Sequence, residues 1–374
     1  MMPFRGTGAR SDTYRNFQRL PEGSTVLYRA ENIIFGKDFV QKWVRVTAGS
    51  VAFQEPRLLK EFEHPHITPV LEAQFDPESP DLIVMIMPLY EGGSVARALV
   101  DDHRFSLHEA MAIIRNGLDA LDYTHVRHLV AHRDVKPGNI LLDQDRTEGF
   151  LADFGAAASF EKDGKAPWVI GTHEYMAPEC ALTGRHGPEA DVYGFGMVLF
   201  EMMNGRLRWE ELDRARIEDR VLQGRRALAD ADYAPARFAP AVPPELVRVV
   251  RKAVDRDPAR RFSSAAGMLS ALNRVVALDW RHVEGTGLDG RWEGGWPPQV
   301  PQDRRDTYRV TSEMLERGPA RGRRRLVAQY RRVDVSSWRR IGVDDRDVDP
   351  ADLEAVRSFF NEVVANAAHR RPAR

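Results

Sequence analysis

Two features common in other protein classes are missing from this 374-residue sequence, namely cysteine pairs and long apolar runs. The single cysteine, Cys180, cannot form an internal disulfide, which fits a reducing compartment. No run approaches the roughly 18 consecutive apolar residues of a membrane span, and residues 1–19 lack the apolar core of a secretory signal. We therefore expect a cytoplasmic protein that does not cross a membrane.

An excess of charge of one sign is also missing. The 54 lysines and arginines nearly balance the 55 aspartates and glutamates, which leaves a formal net charge of −1. Such a chain has no general attraction to nucleic acid or to a membrane surface. Only seven of the 54 basic residues are lysines. A lysine inside a motif is therefore informative, because its compact charge suits contact with a phosphate group.

Four polar residues carry the clearest chemical signal: Asp134, Lys136, Asn139 and Asp153. Asp134 can orient an attacking hydroxyl and accept its proton, and Lys136 can neutralise charge on a transferring phosphate. Asn139 and Asp153 offer oxygen ligands suited to Mg²⁺. Taken alone, an Asp–Asn pair often forms a turn and a lysine is usually a solvated surface charge. Their occurrence together in two neighbouring motifs favours phosphoryl transfer.

The two motifs are H-R-D-V-K-P-G-N at 132–139 and D-F-G at 153–155. Together they resemble the signature of the eukaryotic-type (bacterial) serine/threonine protein kinase family. The resemblance implies an α+β fold of two lobes, with a small antiparallel sheet and one helix over a mainly helical lobe. It also implies an enzyme that uses ATP and Mg²⁺ to phosphorylate Ser or Thr hydroxyls of protein substrates. The four polar residues are then catalytic, and two of them, Asn139 and Asp153, bind the metal.

The resemblance covers residues 14–277, after an N-terminal tail at 1–13. It implies a small lobe that ends near residue 90 and a large lobe at 91–277. Apolar patterns within this region predict strands at 25–28 and 38–46 and a long helix at 106–125, and a helix is expected within 50–63. The resemblance further implies that residues 82–94 form the last strand of the small lobe and the hinge.

Upstream of the catalytic motifs, the resemblance identifies residues that contact the nucleotide. Lys42 takes the place of the family's third-strand lysine, and Glu55 lies nine residues before H-P-H-I at 64–67. These two residues are expected to pair and so to hold the lysine against the α- and β-phosphates. An apolar slot suits the adenine ring. The resemblance implies that six residues form this slot. They are Met87 as gatekeeper, Pro88 and Tyr90 at the hinge, Leu27 and Val40 above the base, and Leu141 below it.

Downstream, the run G-T-H-E-Y-M-A-P-E at 171–179 resembles the end of the family's activation segment. It implies that Thr172 lies near Asp134 and Lys136. It also implies a structural ion pair between Glu179 and Arg261.

The activation segment contains few hydroxyl groups. Between Asp153 and Glu179 they belong to Ser159, Thr172 and Tyr175 only, and the family gives the last two structural positions. Ser159 alone is therefore left as a candidate phosphorylation switch, with Arg133 available to receive its phosphate. The alternative is a segment that becomes ordered without a phosphate.

The loop that covers the phosphates departs most from the family pattern. At 20–27 it keeps one glycine, Gly23, where the family has a G-x-G-x-x-G run. Pro21 removes a backbone donor, and Glu22 brings a negative charge close to the phosphates. We therefore expect ATP to bind more weakly than is usual for the family.

Residues 278–374 have no resemblance that we can name. They contain four of the seven tryptophans, which predicts a small folded α+β module rather than a disordered tail. Strands at 308–314 and 325–333 are expected to form a hairpin, and Asp349-Pro350 to begin a helix that runs to about Ala367. The Pro- and Gly-rich stretch at 285–301 lies just beyond the predicted domain boundary.

The module holds 19 arginines and 16 acidic residues, which gives it a local net charge of +3. One interpretation of its arginines is a surface for nucleic acid or a phosphopeptide, and the other is a solvated strand edge. The mixed charge favours the second, or else contacts of these arginines within the chain. For the module as a whole we expect a protein or peptide partner rather than nucleic acid. The patch comprises Arg321, Arg323, Arg324, Arg325, Arg331 and Arg332.

Three functions compete for this sequence. The first is an active serine/threonine protein kinase, and the second is a pseudokinase scaffold that presents the C-terminal module. The third is a small-molecule kinase of related fold. Lys136 and the A-P-E run at 177–179 argue against it, because such kinases typically lack both. The complete set of polar residues favours the first function.

Overall fold

The computed structural model describes residues 13–20, 26–46, 54–76, 79–168, 172–207, 214–228, 238–285, 289–296, 306–333 and 335–370. The predictions about Pro21 and Glu22 lie outside these residues. Among the described helices, none combines the length and apolarity needed to cross a bilayer.

The N-terminal lobe is one antiparallel sheet with a single helix. Its elements are β1 (Tyr14–Leu20), β2 (Val26–Asn32), β3 (Lys37–Arg45), α1 (Gln54–Glu61), β4 (Glu72–Phe75) and β5 (Leu82–Pro88), and the strand order is β1-β2-β3-β5-β4. The predicted strands and helix are confirmed with shifts at their ends. Pro56 is tolerated in α1 because it occupies the first turn, where its missing N–H has no helical acceptor.

The register of this sheet decides which side chains face the second lobe. Lys42 lies opposite Leu27 on β2 and opposite Met85 on β5, and Val40 lies opposite Met87. Residues directly opposite each other, and residues two apart on one strand, share a face of the sheet. These five side chains therefore lie on the same face.

The second lobe is mainly helical. Its helices are α2 (Val95–Val100), α3 (Leu107–Arg127), α4 (Pro178–Thr183), α5 (Pro188–Asn204), α6 (Arg214–Leu222), α7 (Pro244–Ala253) and α8 (Ala265–Asn273). The predicted long helix is α3, and it begins after Ser106 because Ser106 and Glu109 form a reciprocal capping box. Helix α5 is apolar and buried along most of its length, which places it at the centre of the lobe.

Three short strand pairs frame the loops of this lobe. β6 (Val130–Ala131) pairs with β9 (Ala158–Ser159), β7 (Ile140–Leu142) with β8 (Gly149–Leu151), and β10 (Ala166–Pro167) with β11 (Arg185–His186). Each pair ties a loop that bears predicted catalytic or activation-segment residues to a fixed neighbour.

The C-terminal region is an antiparallel sheet with one helix. It comprises β12 (Arg281–Glu284), β13 (Gly290–Gly295), β14 (Thr307–Met314), β15 (Arg324–Arg331), β16 (Arg339–Arg340), β17 (Arg346–Val348) and α9 (Leu353–Arg370). The predicted hairpin is confirmed, with Val310 opposite Ala328. The helix start was placed too early, because Asp349 accepts from Ala351 N in a preceding turn (2.8 Å) whereas Asp352 caps α9 through Ala355 N (2.9 Å).

This C-terminal region packs tightly against the helical lobe. Trp280 and Trp292 are each 3% exposed and pack edge-on against Phe360, in a hydrophobic core that continues into α3, α5, α7 and α8. Asp279 accepts a hydrogen bond from the backbone N–H of His108 (2.8 Å), and Arg357 donates to the carbonyl of Phe238 (2.8 Å). One continuous apolar core therefore joins the two regions.

The arginines of the C-terminal hairpin largely have partners within the chain. Arg324 pairs with Asp289 (2.5 Å), Arg325 pairs with Asp347 (2.8 Å), and the Arg331 guanidinium lies over the ring of Trp338 (4.9 Å). The prediction of a solvated strand edge is wrong for β15, because this strand pairs with β14 on one side and with β16 and β17 on the other, and Arg324 is buried. The predicted contacts within the chain are present.

Candidate active site

A buried lysine lies at the centre of the cleft between the two lobes. The Nζ of Lys42, on β3, is 2.7 Å from each carboxylate oxygen of Glu55 on α1 and 2.6 Å from Oδ1 of Asp153. Lys42 and Glu55 are each only 5% exposed. The structure thus contains the predicted Lys42–Glu55 ion pair and adds Asp153 to it.

Burial and charge act in opposite directions on these three groups. Burial alone would lower the pKa of Lys42, but the adjacent carboxylates of Asp153 and Glu55 outweigh it and raise that pKa above its usual value. Burial acts to raise the pKa of Asp153, yet Lys42 holds it below its usual value. Burial and the nearby Asp153 charge raise the pKa of Glu55. Lys42 is therefore charged and Asp153 ionised at neutral pH.

A second polar cluster surrounds Asp134. Its Oδ2 accepts hydrogen bonds from Lys136 Nζ (2.6 Å) and Asn139 Nδ2 (3.0 Å), and its Oδ1 accepts from Thr172 Oγ1 (3.0 Å). Lys136 also donates to Thr172 Oγ1 (3.0 Å). The predicted proximity of Thr172 to Asp134 and Lys136 is therefore confirmed. The cluster fixes the Asp134 carboxylate between the loop at 132–139, called the catalytic loop below, and the activation segment.

Asp191, at the start of α5, holds the backbone of the catalytic loop. Its carboxylate accepts from the backbone N–H groups of His132 (2.9 Å) and Arg133 (2.8 Å), and from the rings of His125 (2.9 Å) and His186 (3.0 Å). Burial opposes its ionisation, but the two histidines outweigh it and hold the pKa of Asp191 well below its usual range. Although burial alone would lower the pKa of His186, Asp191 raises it to about 10.

The D-F-G run is held by packing on its central residue. Phe154 is 1% exposed and lies edge-on to Phe62, which follows α1, and to His132 of the catalytic loop. Asp153 has a left-handed backbone (φ 63°) and accepts from Gly155 N (3.4 Å). This anchoring directs the Asp153 carboxylate to Lys42.

The remaining oxygen atoms of Asn139 and Asp153 fit a magnesium ion. Asn139 uses its amide N–H₂ to donate to the carbonyl and carboxylate of Asp134, and Asp153 uses Oδ1 to accept from Lys42. Among the described residues, neither Asn139 Oδ1 nor Asp153 Oδ2 has a hydrogen-bonding partner. One amide oxygen and one carboxylate oxygen are the ligand types that Mg²⁺ prefers.

A cavity of about 470 Å³ opens beside these groups, and Lys42, Glu55, Asp134 and Asp153 line it. None of the six predicted adenine residues lines this cavity. Leu27, Val40 and Met87 share the sheet face of Lys42, while the ring of Tyr90 packs against Phe150 at 4.5 Å. The six are half-buried, and they are Leu27, Val40, Met87, Pro88, Tyr90 and Leu141.

The structure also contains contacts that the sequence motifs did not indicate. Gln54 on α1 donates to the carbonyl of Ala157 in the activation segment (3.1 Å), and His186 joins the buried cluster around Asp191. No spacing rule marks either residue. The predicted pair of Glu179 with Arg261 is confirmed, at 2.6 and 2.7 Å.

Comparison with known proteins identifies a family for most of the chain. Residues 23–273, about two thirds of the chain, match the protein kinase domain family. The chain is 27% identical over 265 residues to the serine/threonine-protein kinase PrkC of Bacillus subtilis, covering 69% of this chain and 39% of PrkC. It is 34% identical over 203 residues to the serine/threonine-protein kinase PknL of Mycobacterium tuberculosis, covering 52% of this chain and 48% of PknL.

The chain spans less than half the length of these curated relatives. The protein named PknL in Mycobacterium bovis shows the same identity and coverage as the M. tuberculosis protein. All three relatives are bacterial serine/threonine-protein kinases. Because the family match extends over well more than half of the sequence, this chain belongs to the protein kinase family, as its motifs predicted.

Proposed function

We propose that this protein is an ATP- and Mg²⁺-dependent kinase that phosphorylates Ser or Thr residues of other proteins. The observation that carries the proposal is the convergence of two polar clusters on one cleft. Lys42, Glu55 and Asp153 form the first cluster, and Asp134 and Lys136 with Thr172 form the second. Phosphoryl transfer depends mainly on positioning and on neutralising charge, and these are what the two clusters provide.

In this proposal the first cluster binds the nucleotide. Lys42, oriented by Glu55, contacts the α- and β-phosphates, and Asn139 Oδ1 with Asp153 Oδ2 holds the metal. Mg²⁺ when bound supplies positive charge to the phosphate oxygens. The residues that would bind the adenine ring are Leu27, Val40 and Met87 on the shared sheet face, with Pro88 and Tyr90 at the hinge and Leu141 from the second lobe.

The second cluster acts on the acceptor. Asp134 orients the acceptor hydroxyl and accepts its proton, and Lys136 neutralises charge on the transferring group. The Thr172 hydroxyl donates to Asp134 Oδ1 and accepts from Lys136. This contact fixes the two reactive side chains relative to each other, so the proton acceptor and the positive charge are positioned before substrate arrives.

The proposal includes a kinase domain at 14–277 and a C-terminal module at 278–374 that contacts a protein or peptide partner. Cytoplasmic localisation also belongs to the proposal. A pseudokinase scaffold remains the alternative prediction, but no described contact favours it. The two functions differ in one measurable property, since a scaffold binds nucleotide without transferring phosphate.

Incubation with radiolabelled ATP, Mg²⁺ and a generic acceptor protein tests the proposal. We expect transfer by the wild type and none by Asp153→Ala. Asp134→Asn should lower transfer by about 100-fold or more, because proton acceptance contributes roughly that much, while nucleotide binding is kept. Asp145→Asn, at an exposed acid in the β7–β8 turn, is the matched control and should behave as wild type. Full transfer by Asp134→Asn would contradict the assignment.

A further inference from the structure

The activation segment is tied to the catalytic loop by one arginine. Arg133 precedes Asp134 and has a left-handed backbone (φ 67°). Its guanidinium donates to the carbonyl oxygens of Ala156 (2.5 Å), Ala157 (3.2 Å) and Pro167 (2.5 Å). Three of its five N–H groups are thus already used by backbone on both sides of residues 158–166. The side chain predicted to receive a phosphate holds the segment without one.

A second arginine contacts the middle of the same segment. Arg185, on β11, donates to Glu161 Oε2 (2.8 Å), to Asp163 Oδ1 (2.6 Å) and to the carbonyl of Lys165 (2.9 Å). The backbone strengthens this contact, since β10 pairs with β11 and Trp168 N donates to the carbonyl of Gly184 (2.9 Å). Residues 161–168 are therefore joined to the connection between α4 and α5.

The two carboxylates that meet Arg185 supply the charge that a phosphate group would supply. A phosphorylated hydroxyl adds a charge of about −1.5 to −2, and Glu161 with Asp163 carries two negative charges. The planar guanidinium suits such paired oxygen acceptors. Exposed ion pairs contribute little by themselves, but here the pairs act on a segment that strand pairing already restrains.

The hydroxyl groups of the described segment leave little scope for a phosphorylation switch. Thr172 is engaged with Asp134 and Lys136, and the Tyr175 hydroxyl donates to Glu201 (2.6 Å). Ser159 is exposed, but it already lies in β9, where its backbone pairs with Val130. The position expected to become ordered on phosphorylation is therefore ordered without it.

We propose that Arg185 is the positioning residue of the activation segment, and that its contacts with Glu161 and Asp163 replace phosphorylation as the device that orders it. The inference rests on the proposed function, because an ordered segment keeps Thr172 against Asp134 and so favours phosphoryl transfer. The kinase then works in the state in which it is synthesised. Ser159 is not a switch.

The test uses the full chain, coexpressed with a Ser/Thr phosphatase and shown by intact mass spectrometry to carry no phosphate. Wild type and Ser159→Ala should phosphorylate the acceptor from the first time point without a lag. Arg185→Ala should raise the KM for the acceptor by about fivefold, with a smaller change in the KM for ATP, and should speed amide hydrogen exchange at 158–168. Arg248→Ala, in an exposed pair with Glu245 on α7, is the control and should change neither.

Variants that neutralise or swap the paired charges distinguish a positioning role of Arg185 from general damage to the fold. Glu161→Gln with Asp163→Asn should reproduce the effect of Arg185→Ala. Asp163→Arg combined with Arg185→Asp should restore part of the exchange protection. A wild type that is inactive until Ser159 carries phosphate would overturn the inference.

The failure of this inference can be distinguished from failure of the proposed function. If no acceptor is phosphorylated under any condition, amide hydrogen exchange still tests whether Arg185 orders the segment. Slow exchange at 158–168 in phosphate-free wild type, lost in Arg185→Ala, supports the positioning role. Fast exchange in that wild type overturns it.

Discussion

The cleft and the C-terminal sheet both set basic side chains against carboxylates, but they do so in different surroundings. In the cleft, the side chains of Lys42 and Glu55 are each 6% exposed. In the C-terminal sheet, the side chains of Arg325 and Asp347 are 48% and 27% exposed. A buried charge depends on its partners because water cannot replace them, whereas an exposed pair loses little when it is broken. Breaking an ion pair should therefore have a large effect in the cleft and a small effect at the exposed positions of the C-terminal sheet.

Removing the central charge of the cleft should give the largest effect. Lys42→Met leaves the carboxylates of buried Glu55 and half-buried Asp153 beside each other without a compensating charge, so we expect phosphoryl transfer to fall by about 100-fold or more. The free energy of unfolding should also fall, by roughly 3–5 kcal/mol. Initial-rate kinetics and denaturant unfolding measure the two effects. Wild-type kinetics in Lys42→Met would show that the buried cluster does not bind the nucleotide.

The next effect concerns the core that joins the C-terminal region to the helical lobe. Trp280→Ala should lower the free energy of unfolding by about 3–5 kcal/mol, because it leaves a cavity beside Phe360. Hydrogen exchange in α3 should also become faster, since the apolar core is continuous. Trp338→Ala, at a partly exposed tryptophan beside Arg309, should have a much smaller effect. Unchanged protection of α3 in Trp280→Ala would instead support two independent folding units that meet near residue 277.

The sequence predicted the cleft better than it predicted this junction, for a physical reason. Asp134, Lys136 and Asn139 lie within six positions, so their meeting depends on local backbone geometry that the motif specifies. The pairing of Lys42 with Glu55 could be predicted because both residues match positions of the family's sequence pattern. The contact of Trp280 with Phe360 joins residues eighty positions apart, and no periodic pattern reports such packing.

The pairing of Arg185 with Glu161 and Asp163 also could not be predicted from the sequence. Each residue has the character of an ordinary surface charge, and only the fold brings the turn at 161–165 next to β11. The start of α9 was misplaced for a related reason. Asp349-Pro350 and Asp352 are both acceptable beginnings of a helix, and local sequence does not distinguish them; in the structure Asp352 is the cap.

The buried cluster around Asp191 should make stability depend on pH. The pKa of His186 is raised from 6.5 to about 10, so its contribution is fully present below about pH 6.5 and is lost as the pH rises through about 10. The pKa of Asp191 is lowered, so its contribution is lost only in strong acid. The groups that face these two are His125 and the thiol of Cys180. The free energy of unfolding should thus fall by a few kcal/mol between pH 6.5 and pH 10.

His186→Gln tests this assignment, because glutamine keeps a donor but has no titrating group. Urea unfolding at several pH values should show a lower stability at pH 6.5 in the variant and a shallower decline towards pH 10. An equally steep decline in both proteins would mean that other groups, such as Lys42, cause the pH dependence.

The smallest effect is expected at the exposed pairs of the C-terminal sheet. Arg325→Ala breaks the contact with Asp347, but both side chains are solvated, so water replaces the lost hydrogen bonds. The midpoint of thermal unfolding and the rate of phosphoryl transfer should both stay within error of wild type, at low and at high salt. A clear loss of transfer to a natural protein substrate, with transfer to a generic acceptor unchanged, would show instead that the surface around Arg325 binds a partner. Arg340→Ala, on β16 and paired with Asp345, then distinguishes a shared binding surface from a single contact. Loss in both variants indicates a surface, whereas loss in Arg325→Ala alone indicates one contact.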